Sequence, residues 1–445
     1  MVAVRVERFR SIADEIATAV RAGTIPAGTR LPTHRDLARE RGIALATATK
    51  VYRELAAAGL VVGEPGRGTY VRDLSGFGGT DPRRLPAGAR LADLSFNQPL
   101  APDQSDQLRH ALRELSTQGD LGALLAQQPP GGRGGDRAAM ATYLLDRGID
   151  VPPARVLLTG GAQHALDTVL SSIASPGEVV AVDALTYPGV KLLAGVRRIE
   201  LAPLPCGPAG SDPDSLEALC RERPVSAIYV MPDLHNPLGF TLDTAARNRI
   251  VEIARRYDCV LVEDGTYSFL VPDAPPPLQV LAPERTFYVG SLSKNLSTGL
   301  RAGHIVTPRQ HLSTVTRALR ASSWGVPSIA TALTTRWLRD GTVARLEKTR
   351  REDARQRQAI ARRELTDLGL IGHPGSYWGW LPLPDELRSD IVAHRLAENG
   401  ILVSTAEAFA ATRHAPNAIR LALATPGIDV LTAVLRQIRE AVRLA

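Results

Sequence analysis

The sequence has little cysteine, and its cysteines form no pattern that serves chemistry. The 445 residues include Cys206, Cys220 and Cys259, and none of them lies in a CxxC motif or a Cys/His cluster. This pattern disfavours a disulfide framework and a zinc site, and it is compatible with a reducing cytoplasm. We therefore expect no metal.

Long apolar runs are missing too. No uncharged apolar stretch approaches the roughly 18 residues that a membrane-spanning helix needs, so we expect no membrane partner. The N-terminus, MVAVRVERFRSIADEI, alternates charged and apolar residues at helical spacing, unlike a signal peptide. No GxGxxG follows the first strand pattern, which argues against a dinucleotide-binding dehydrogenase.

Length and charge indicate more than one domain. A chain of 445 residues exceeds one ordinary core, so two or three domains are expected. The formal net charge is +7, and residues 1–73 hold twelve basic and eight acidic residues. A small basic unit at the N-terminus suits a polyanionic partner, although this surplus alone is a weak signal.

Residues 1–73 show the pattern of a winged helix. Apolar residues at helical spacing predict a first helix over 5–22. A second helix is expected from an N-cap at Thr33 to Gly42, and a third closes at Gly59. LVVGEPGRGTYVRD then predicts two short strands around a Gly/Pro turn.

The remaining chain divides into a linker and a larger α/β unit. Residues 74–90 are rich in glycine and proline without apolar periodicity, which is typical of a flexible linker. From residue 91 to 445, helical stretches alternate with short apolar strands, which predicts a mostly parallel sheet covered on both faces. We expect a large domain over about 91–325 and a smaller α+β domain over about 326–445.

Two stretches carry a resemblance to known families. GTRLPTHRDLA and TKVYRELAAAGLVVGEPGRGTYV resemble the GntR-type winged helix, and residues 91–445 resemble fold-type I aminotransferases. Together they resemble the MocR/PdxR-type regulators. The resemblance implies a winged helix-turn-helix joined to an α/β fold-type I transferase domain that binds pyridoxal 5′-phosphate. It also implies a homodimer, head-to-tail, with each winged helix near the other subunit's core.

Lys294 is the candidate for the central chemistry. It lies in GSLSKNLSTGLRAGHIV, directly after the apolar strand RTFYVG, at the strand end where open α/β sheets place ligands. An aldehyde cofactor needs an amine to form a Schiff base, and Lys294 supplies one. Asp264 ends the strand CVLVED at the same sheet edge and is the expected partner of a protonated pyridine nitrogen.

The resemblance assigns the other ligands by position. Asn236 and Tyr267 match the partners of the ring oxygen, Tyr187 the aromatic residue that stacks on the ring, and Arg420 the arginine that grips a carboxylate. The phosphate contacts that it implies are Gly161, Ala162, Gln163, Ser291, Ser293 and Arg301. Without the family, the Asn-Pro pair reads as a turn, Tyr187 and Tyr267 as packed tyrosines, and Arg420 as a solvent-facing residue.

Two positions depart from the family pattern. Gln127 stands where we place a tyrosine that reaches the neighbouring subunit's phosphate, and Ala44-Leu45 replaces a Ser-Arg pair before the recognition helix. DNA contacts are therefore expected from other residues of the helix-turn-helix and the wing. These are Thr33, His34, Arg35, Thr47, Thr49, Lys50 and Arg67.

Two functions fit this architecture. One is a transcriptional regulator that binds operator DNA and senses a small amino compound, or pyridoxal phosphate itself, through the Lys294 Schiff base. The alternative is an aminotransferase with an accessory or vestigial winged helix. The sequence favours the regulator because the helix-turn-helix pattern is intact and an enzyme has no need of it.

Overall fold

The protein is described here from a computed structural model. The structure describes residues 2–21, 24–26, 28–57, 60–64, 68–71, 92–99 and 103–443. The predicted linker over 74–90, the helix end at Gly59 and the wing-turn residue Arg67 lie outside these residues. Within the described residues, no helix is long and apolar enough to cross a membrane.

The N-terminal domain is a winged helix, as predicted. Its elements are α1 (Val2–Arg21), α2 (His34–Glu40), α3 (Leu45–Ala57), β1 (Val61–Glu64) and β2 (Gly68–Val71). Thr33 caps α2, because its hydroxyl oxygen accepts the Asp36 backbone N–H at 3.2 Å. Strands β1 and β2 pair antiparallel and form the wing. Leu37, Val51 and Leu55 are buried between the three helices.

The core of the chain alternates strands and helices. Its strands are β3 (Ala92–Leu94), β4 (Val156–Thr159), β5 (Val179–Asp183), β6 (Glu200–Leu204), β7 (Cys206–Gly207), β8 (Gly210–Ser211), β9 (Ala227–Val230), β10 (Val260–Asp264), β11 (Thr286–Ser291), β12 (Gly303–Val306), β13 (Trp378–Pro382), β14 (Ile401–Thr405) and β15 (Ala418–Ala422). Its helices are α4 (Gln104–Gln118), α5 (Leu121–Leu125), α6 (Gly134–Leu145), α7 (Ala162–Ile173), α8 (Pro188–Arg197), α9 (Pro213–Glu222), α10 (Thr244–Arg256), α11 (Leu278–Leu281), α12 (Leu312–Ser322), α13 (Ser328–Arg339), α14 (Thr342–Leu365), α15 (Ser389–Glu398) and α16 (Ile428–Arg443).

The large domain is organised around a seven-stranded sheet in the described part of the chain. The strand order is β4-β12-β11-β10-β9-β5-β6. Strand β12 runs antiparallel to both of its neighbours, and the other pairs are parallel. The central strands are apolar because helices cover both faces. The carboxyl ends of β10 and β11 therefore meet at one edge, where Asp264 and Lys294 lie.

The small domain consists of a four-stranded sheet with α15 and α16. Its strand order is β13-β15-β14-β3. Strand β3 pairs parallel with β14, Ile401 opposite Ala92, so the first strand of the core belongs to the small domain rather than to the large domain where the sequence division placed it. The three-residue strand carries too short a pattern to show which sheet it joins.

Candidate cofactor site

Lys294 lies three residues beyond the end of β11, on the turn that follows the strand. Its Nζ donates a hydrogen bond to the Asn97 carbonyl oxygen at 2.7 Å and lies 4.0 Å from the centre of the Phe96 ring. Burial, with smaller contributions from the positive charges of Arg420 and Arg301, lowers the pKa of this amine to about 7. A much larger fraction of this amine is therefore in the neutral, nucleophilic form near pH 7 than for an ordinary lysine.

Asp264 ends β10 and is buried, with 2% of its surface exposed. Its two carboxylate oxygens accept hydrogen bonds from the Tyr229 hydroxyl at 2.9 Å and from the Thr266 backbone N–H at 3.0 Å. Burial raises the pKa of this carboxyl group, and the hydrogen bonds from Thr266 and Tyr229 oppose that rise. These two hydrogen bonds hold the Asp264 carboxylate in place at the sheet edge.

A cradle forms where β4 meets α7. Gly161 has φ of +92° and Ala162 is the first residue of α7, so the helix N-terminus opens into the site. Arg301 packs against this turn, because a Cβ at Gly161 would lie 2.8 Å from Arg301 Nη2. Ser291 Oγ and Ser293 Oγ are 3.0 Å apart, and Arg301 Nη1 reaches Ser293 Oγ at 3.5 Å. Backbone N–H groups, hydroxyls and a guanidinium thus converge, as anion binding requires.

Three further predicted site residues are Asn236 on the loop after β9, Tyr187 at the N-terminus of α8 and Gln163 in the first turn of α7. The Asn236 side-chain oxygen and Gln163 Oε1 are buried and accept no hydrogen bond from the described residues. Gln163 Nε2 donates to the Gly189 carbonyl oxygen at 3.0 Å. Burial, followed by the negative charge of Asp264, raises the pKa of Tyr187 to about 12. Tyr187 thus lies near enough to Asp264 for the negative charge of the carboxylate to raise the pKa of the phenol.

Arg420 lies in the middle of β15 and is buried rather than solvent-facing, with 6% of its surface exposed. Its Nη2 donates to the Ser95 carbonyl oxygen at 2.7 Å, and its guanidinium carbon lies 5.1 Å from the Phe409 ring centre. Burial lowers the pKa of Arg420 to about 10. Burial also raises the pKa of Tyr267, which the positive charge of Arg420 partly offsets.

The structure places a segment in the site that the sequence reasoning missed. Residues 95–97 follow β3, and the carbonyl oxygens of Ser95 and Asn97 accept hydrogen bonds from Arg420 and Lys294. Tyr229, which binds Asp264, was missed as well. The contacts at Ser95 and Asn97 are made by backbone carbonyl oxygens, which every residue carries, so the residue types do not reveal them. Tyr229 could have been found, because the residue lies inside the strand beside Asp264.

The predicted DNA-contact residues lie on α2, on α3 and at the α2 N-terminus, apart from Arg67. Arg35, Thr49 and Lys50 are exposed. The Thr33 side chain is engaged with Asp36 as a cap, and the His34 ring stacks on Tyr52 at 4.7 Å. Thr47 is half-buried. Thr33, Arg35, Thr49 and Lys50 are thus the members of the described set with exposed side chains.

Comparison with known proteins agrees with this architecture. The family model "Aminotransferase class I and II" matches residues 89–438, and "Bacterial regulatory proteins, gntR family" matches residues 9–71. The HTH-type transcriptional regulator YdeF of Bacillus subtilis is 27% identical over 431 residues, which cover 94% of this chain and 90% of that protein. The HTH-type transcriptional regulator TauR of Rhodobacter capsulatus is 28% identical over 477 residues, which cover 96% and 95%.

A solved structure is similar to the core. The α-aminoadipate aminotransferase LysN from Thermus thermophilus, complexed with N-(5′-phosphopyridoxyl)-L-leucine, is 25% identical with a TM-score of 0.73. The match covers 79% of this chain and 92% of that one. The bound molecule in that complex is a derivative of pyridoxal phosphate joined to an amino acid.

Proposed function

The chain belongs to the aminotransferase class I and II family and carries a gntR-type regulatory domain, and we propose that it senses an amino compound, or pyridoxal phosphate itself, at Lys294. One observation carries the proposal. A helix-turn-helix and a pocket that combines a lysine of lowered pKa, a buried carboxylate and a buried arginine occur in one chain. The winged helix alone would fit a simple DNA-binding protein, and the pocket alone would fit an aminotransferase. Their combination fits a DNA-binding regulator that responds to a ligand.

The residues of the pocket fit pyridoxal phosphate, the cofactor of the family. The cradle at Gly161 leaves no room for a Cβ beside Arg301, and the Asn236 side-chain oxygen is a buried polar atom without a partner among the described residues. Such atoms are rare in proteins unless a ligand or water satisfies them. When bound, the cofactor supplies an aldehyde carbon that reacts with primary amines.

The residues of the chain have separable roles in this proposal. Arg301, Ser291 and Ser293 would hold the phosphate together with the N-terminus of α7. Asp264 would favour a protonated ring nitrogen, because a fixed carboxylate stabilises a nearby positive charge. Tyr187 would pack against the ring, and Lys294 would offer its amine.

The effector is proposed to carry both an amine and a carboxylate. Arg420 donates to the neutral Ser95 carbonyl, whereas a carboxylate accepts two charge-assisted hydrogen bonds from a guanidinium. A carboxylate therefore displaces the Ser95 carbonyl from Arg420. Ser95 directly follows β3, the strand with which the chain enters the core after the DNA-binding domain. Binding thus changes the first described core segment along the chain after that domain, and different affinities for the two arrangements give the coupling that regulation requires.

A homodimer completes the proposal. Helices α4 and α5 both pack against α13. Large exposed apolar side chains lie on these helices and just before α13, and they include Leu112, Leu125, Ile329 and Trp324. Exposed apolar clusters of this kind mark association surfaces. The head-to-tail arrangement of subunits stays a prediction, as does the cytoplasmic location that suits a reader of chromosomal DNA.

An aminotransferase is the second candidate. The observation that favours it is the lowered pKa of Lys294, because a neutral amine near pH 7 can also move a proton between substrate and cofactor. The winged helix would then be an accessory.

The two functions are separated by two measurements on the full chain. One is the retention of DNA by the wild type and by Lys294→Ala, with duplexes that the wild type selects from a random-sequence library. The other is steady-state turnover of an amino acid and a keto acid. We expect both proteins to retain DNA and only the wild type to respond to pyridoxal phosphate. Robust multiple turnover without DNA retention would falsify the proposal.

A further inference from the structure

The wing of the DNA-binding domain contacts the small domain of the same chain. The guanidinium carbon of Arg388, at the N-terminus of α15, lies 3.7 Å from the centre of the Tyr70 ring in β2. We propose that Arg388 and Tyr70 form a docking contact that carries the state of the effector pocket to the winged helix. This inference rests on the proposed function and adds the surface through which regulation acts.

Arg388 is held rigidly for this contact. Its side chain is 8% exposed, and its Nε and Nη2 bind the two Asp390 carboxylate oxygens at 2.9 and 2.5 Å. The Asp390 fork fixes the plane of the guanidinium, so its face is presented to the aromatic ring. Stacking of a guanidinium on an aromatic face is attractive, and it strengthens as water is excluded.

Tyr70 is in turn tied to the helix-turn-helix. Strand β2 forms backbone hydrogen bonds with the segment just before α2: Leu31 donates to the Thr69 carbonyl at 2.8 Å, and Val71 donates to the Thr29 carbonyl at 3.0 Å. Helix α2 begins at His34. A displacement of β2 is therefore transmitted to the DNA-reading helices through a few residues of hydrogen-bonded backbone.

The other side of the contact leads to the effector pocket. Residues 406–417 join β14 to β15 and lie beside Arg388, because the Asn417 side-chain oxygen accepts the Ser389 backbone N–H at 3.1 Å. In the same segment, Phe409 packs against Arg420, and its carbonyl accepts the Thr186 backbone N–H at 2.9 Å. Thr186 immediately precedes Tyr187. The segment therefore has one face on the pocket and the other on the wing.

The wing and the small domain meet in an interface that can open. A cavity of about 290 Å³ lies between the wing residues Val62 and Val71 and the small-domain residues Thr405, Glu407 and Asn417. The two surfaces thus meet without continuous packing, and interfaces between domains that are limited and partly polar permit relative motion. Arg388 and Tyr70 provide a specific contact within this loosely packed region.

The test uses full-length variants on both sides of the contact. Arg388→Ala and Tyr70→Leu remove one partner each, whereas Tyr70→Phe keeps the aromatic face. Arg395→Ala is the matched control, because Arg395 is exposed on the same helix. The readouts are amide hydrogen exchange of residues 68–71, affinity for pyridoxal phosphate, and the ratio of DNA dissociation constants with and without pyridoxal phosphate.

We expect Arg388→Ala and Tyr70→Leu to accelerate exchange in the wing by about fivefold and to bring the ratio of DNA dissociation constants to one. Both variants should still bind pyridoxal phosphate, with a change in affinity no larger than the coupling that they abolish. Tyr70→Phe and Arg395→Ala should behave as the wild type. Unchanged exchange in both disruptive variants, or a normal DNA response in both, overturns the inference. If the wild type itself shows no response, the proposed sensing fails, and the exchange measurement alone decides whether the wing docks.

The structure shows the contact within one chain, whereas the family resemblance predicts each winged helix near the other subunit's core. A mixed dimer shows which chain supplies the partner. Pairing an Arg388→Ala subunit with a Tyr70→Leu subunit leaves no intact contact if docking occurs within one chain. It leaves one intact contact if docking occurs between subunits. We expect the mixed dimer to have lost the response completely, and a response at half the normal size contradicts docking within the chain.

Discussion

At the scale of single residues, the charge state of Lys294 controls what the pocket can do. Its pKa of about 7 lies below the ordinary lysine value of 10.5 because of burial first and of Arg420 and Arg301 second. Between these two values the unfolded chain holds a proton that the folded chain lacks. The cofactor-free protein therefore gains stability as the pH rises from about 7 to 10.5, and it carries the full cost of the buried charge below pH 7.

We predict that covalent capture of pyridoxal phosphate, trapped with borohydride, accelerates as the pH rises through about 7. The reason is that the neutral amine is the reactive form. Arg420→Met removes a positive charge near the amine, so the midpoint should move to higher pH. Stopped-flow absorbance between pH 5.5 and 9 measures both profiles. A midpoint near 10 in the wild type contradicts the buried, arginine-flanked environment.

The cradle at Gly161 predicts a loss of affinity that depends on the phosphate group of the ligand. Gly161→Ala forces an alanine to φ of +92° and places its Cβ 2.8 Å from Arg301 Nη2. The substitution should weaken the binding of pyridoxal phosphate about tenfold or more, which corresponds to roughly 1.4 kcal/mol, and leave pyridoxal almost unaffected. Equilibrium titration by absorbance gives both affinities.

Gly148→Ala is the control for backbone strain alone. Gly148 also has a positive φ, +71°, but a Cβ there meets no atom within 4 Å. Both variants should lose about 1 kcal/mol of stability from the strained backbone. Only Gly161→Ala should discriminate between the two ligands, and equal losses for pyridoxal and its phosphate would argue against the cradle.

At the scale of elements, the long helix α14 ties the lysine turn to the rest of the core. Glu347 on α14 accepts hydrogen bonds from the Tyr143 hydroxyl at 2.7 Å, Arg147 Nη2 at 2.6 Å and Asn295 Nδ2 at 2.6 Å. Asn295 directly follows Lys294. The side chains of Glu347 and Arg147 are 8% and 9% exposed, so the buried charge of Arg147 depends on Glu347 for compensation.

We therefore predict that Glu347→Ala lowers the free energy of unfolding by about 3 kcal/mol or more, because it leaves Arg147 charged and buried. Adding Arg147→Met should recover a large part of that loss. Urea unfolding followed by tryptophan fluorescence measures the single and double variants. Equal stability of Glu347→Ala and the wild type would show that water reaches Arg147.

Local patterns were enough to predict the winged helix, because caps, turns and apolar periodicity act within a few residues. The Thr33 cap, Asp264 at the end of an apolar strand and Lys294 just beyond another are such features. The family resemblance is confirmed by the matches along the chain. The membership of β3 in the small domain was not predictable, because its partner Ile401 lies more than 300 residues away. The same distance hides the contact between Arg420 and the Ser95 carbonyl.

At the scale of the whole molecule, the exposed apolar face on α4, α5 and α13 predicts the state of assembly. Leu125 is 91% exposed, which is unusual for leucine in an isolated domain. Gln127, where the family pattern expects a tyrosine that reaches the other subunit, is exposed two residues later. We infer that this face is covered by a second copy of the chain.

Leu125→Glu should therefore weaken the homodimer, because a carboxylate loses its hydration when the face is covered. We expect the dimer dissociation constant to rise about tenfold or more, which corresponds to roughly 1.4 kcal/mol, with the fold of the monomer retained. Val196→Glu is the control, because Val196 is 71% exposed on α8, away from these helices. Sedimentation velocity over a concentration series gives both constants. If Leu125→Glu and Val196→Glu dissociate alike, the two subunits meet through another surface, and Gln127 then has no bearing on the phosphate of the neighbouring subunit.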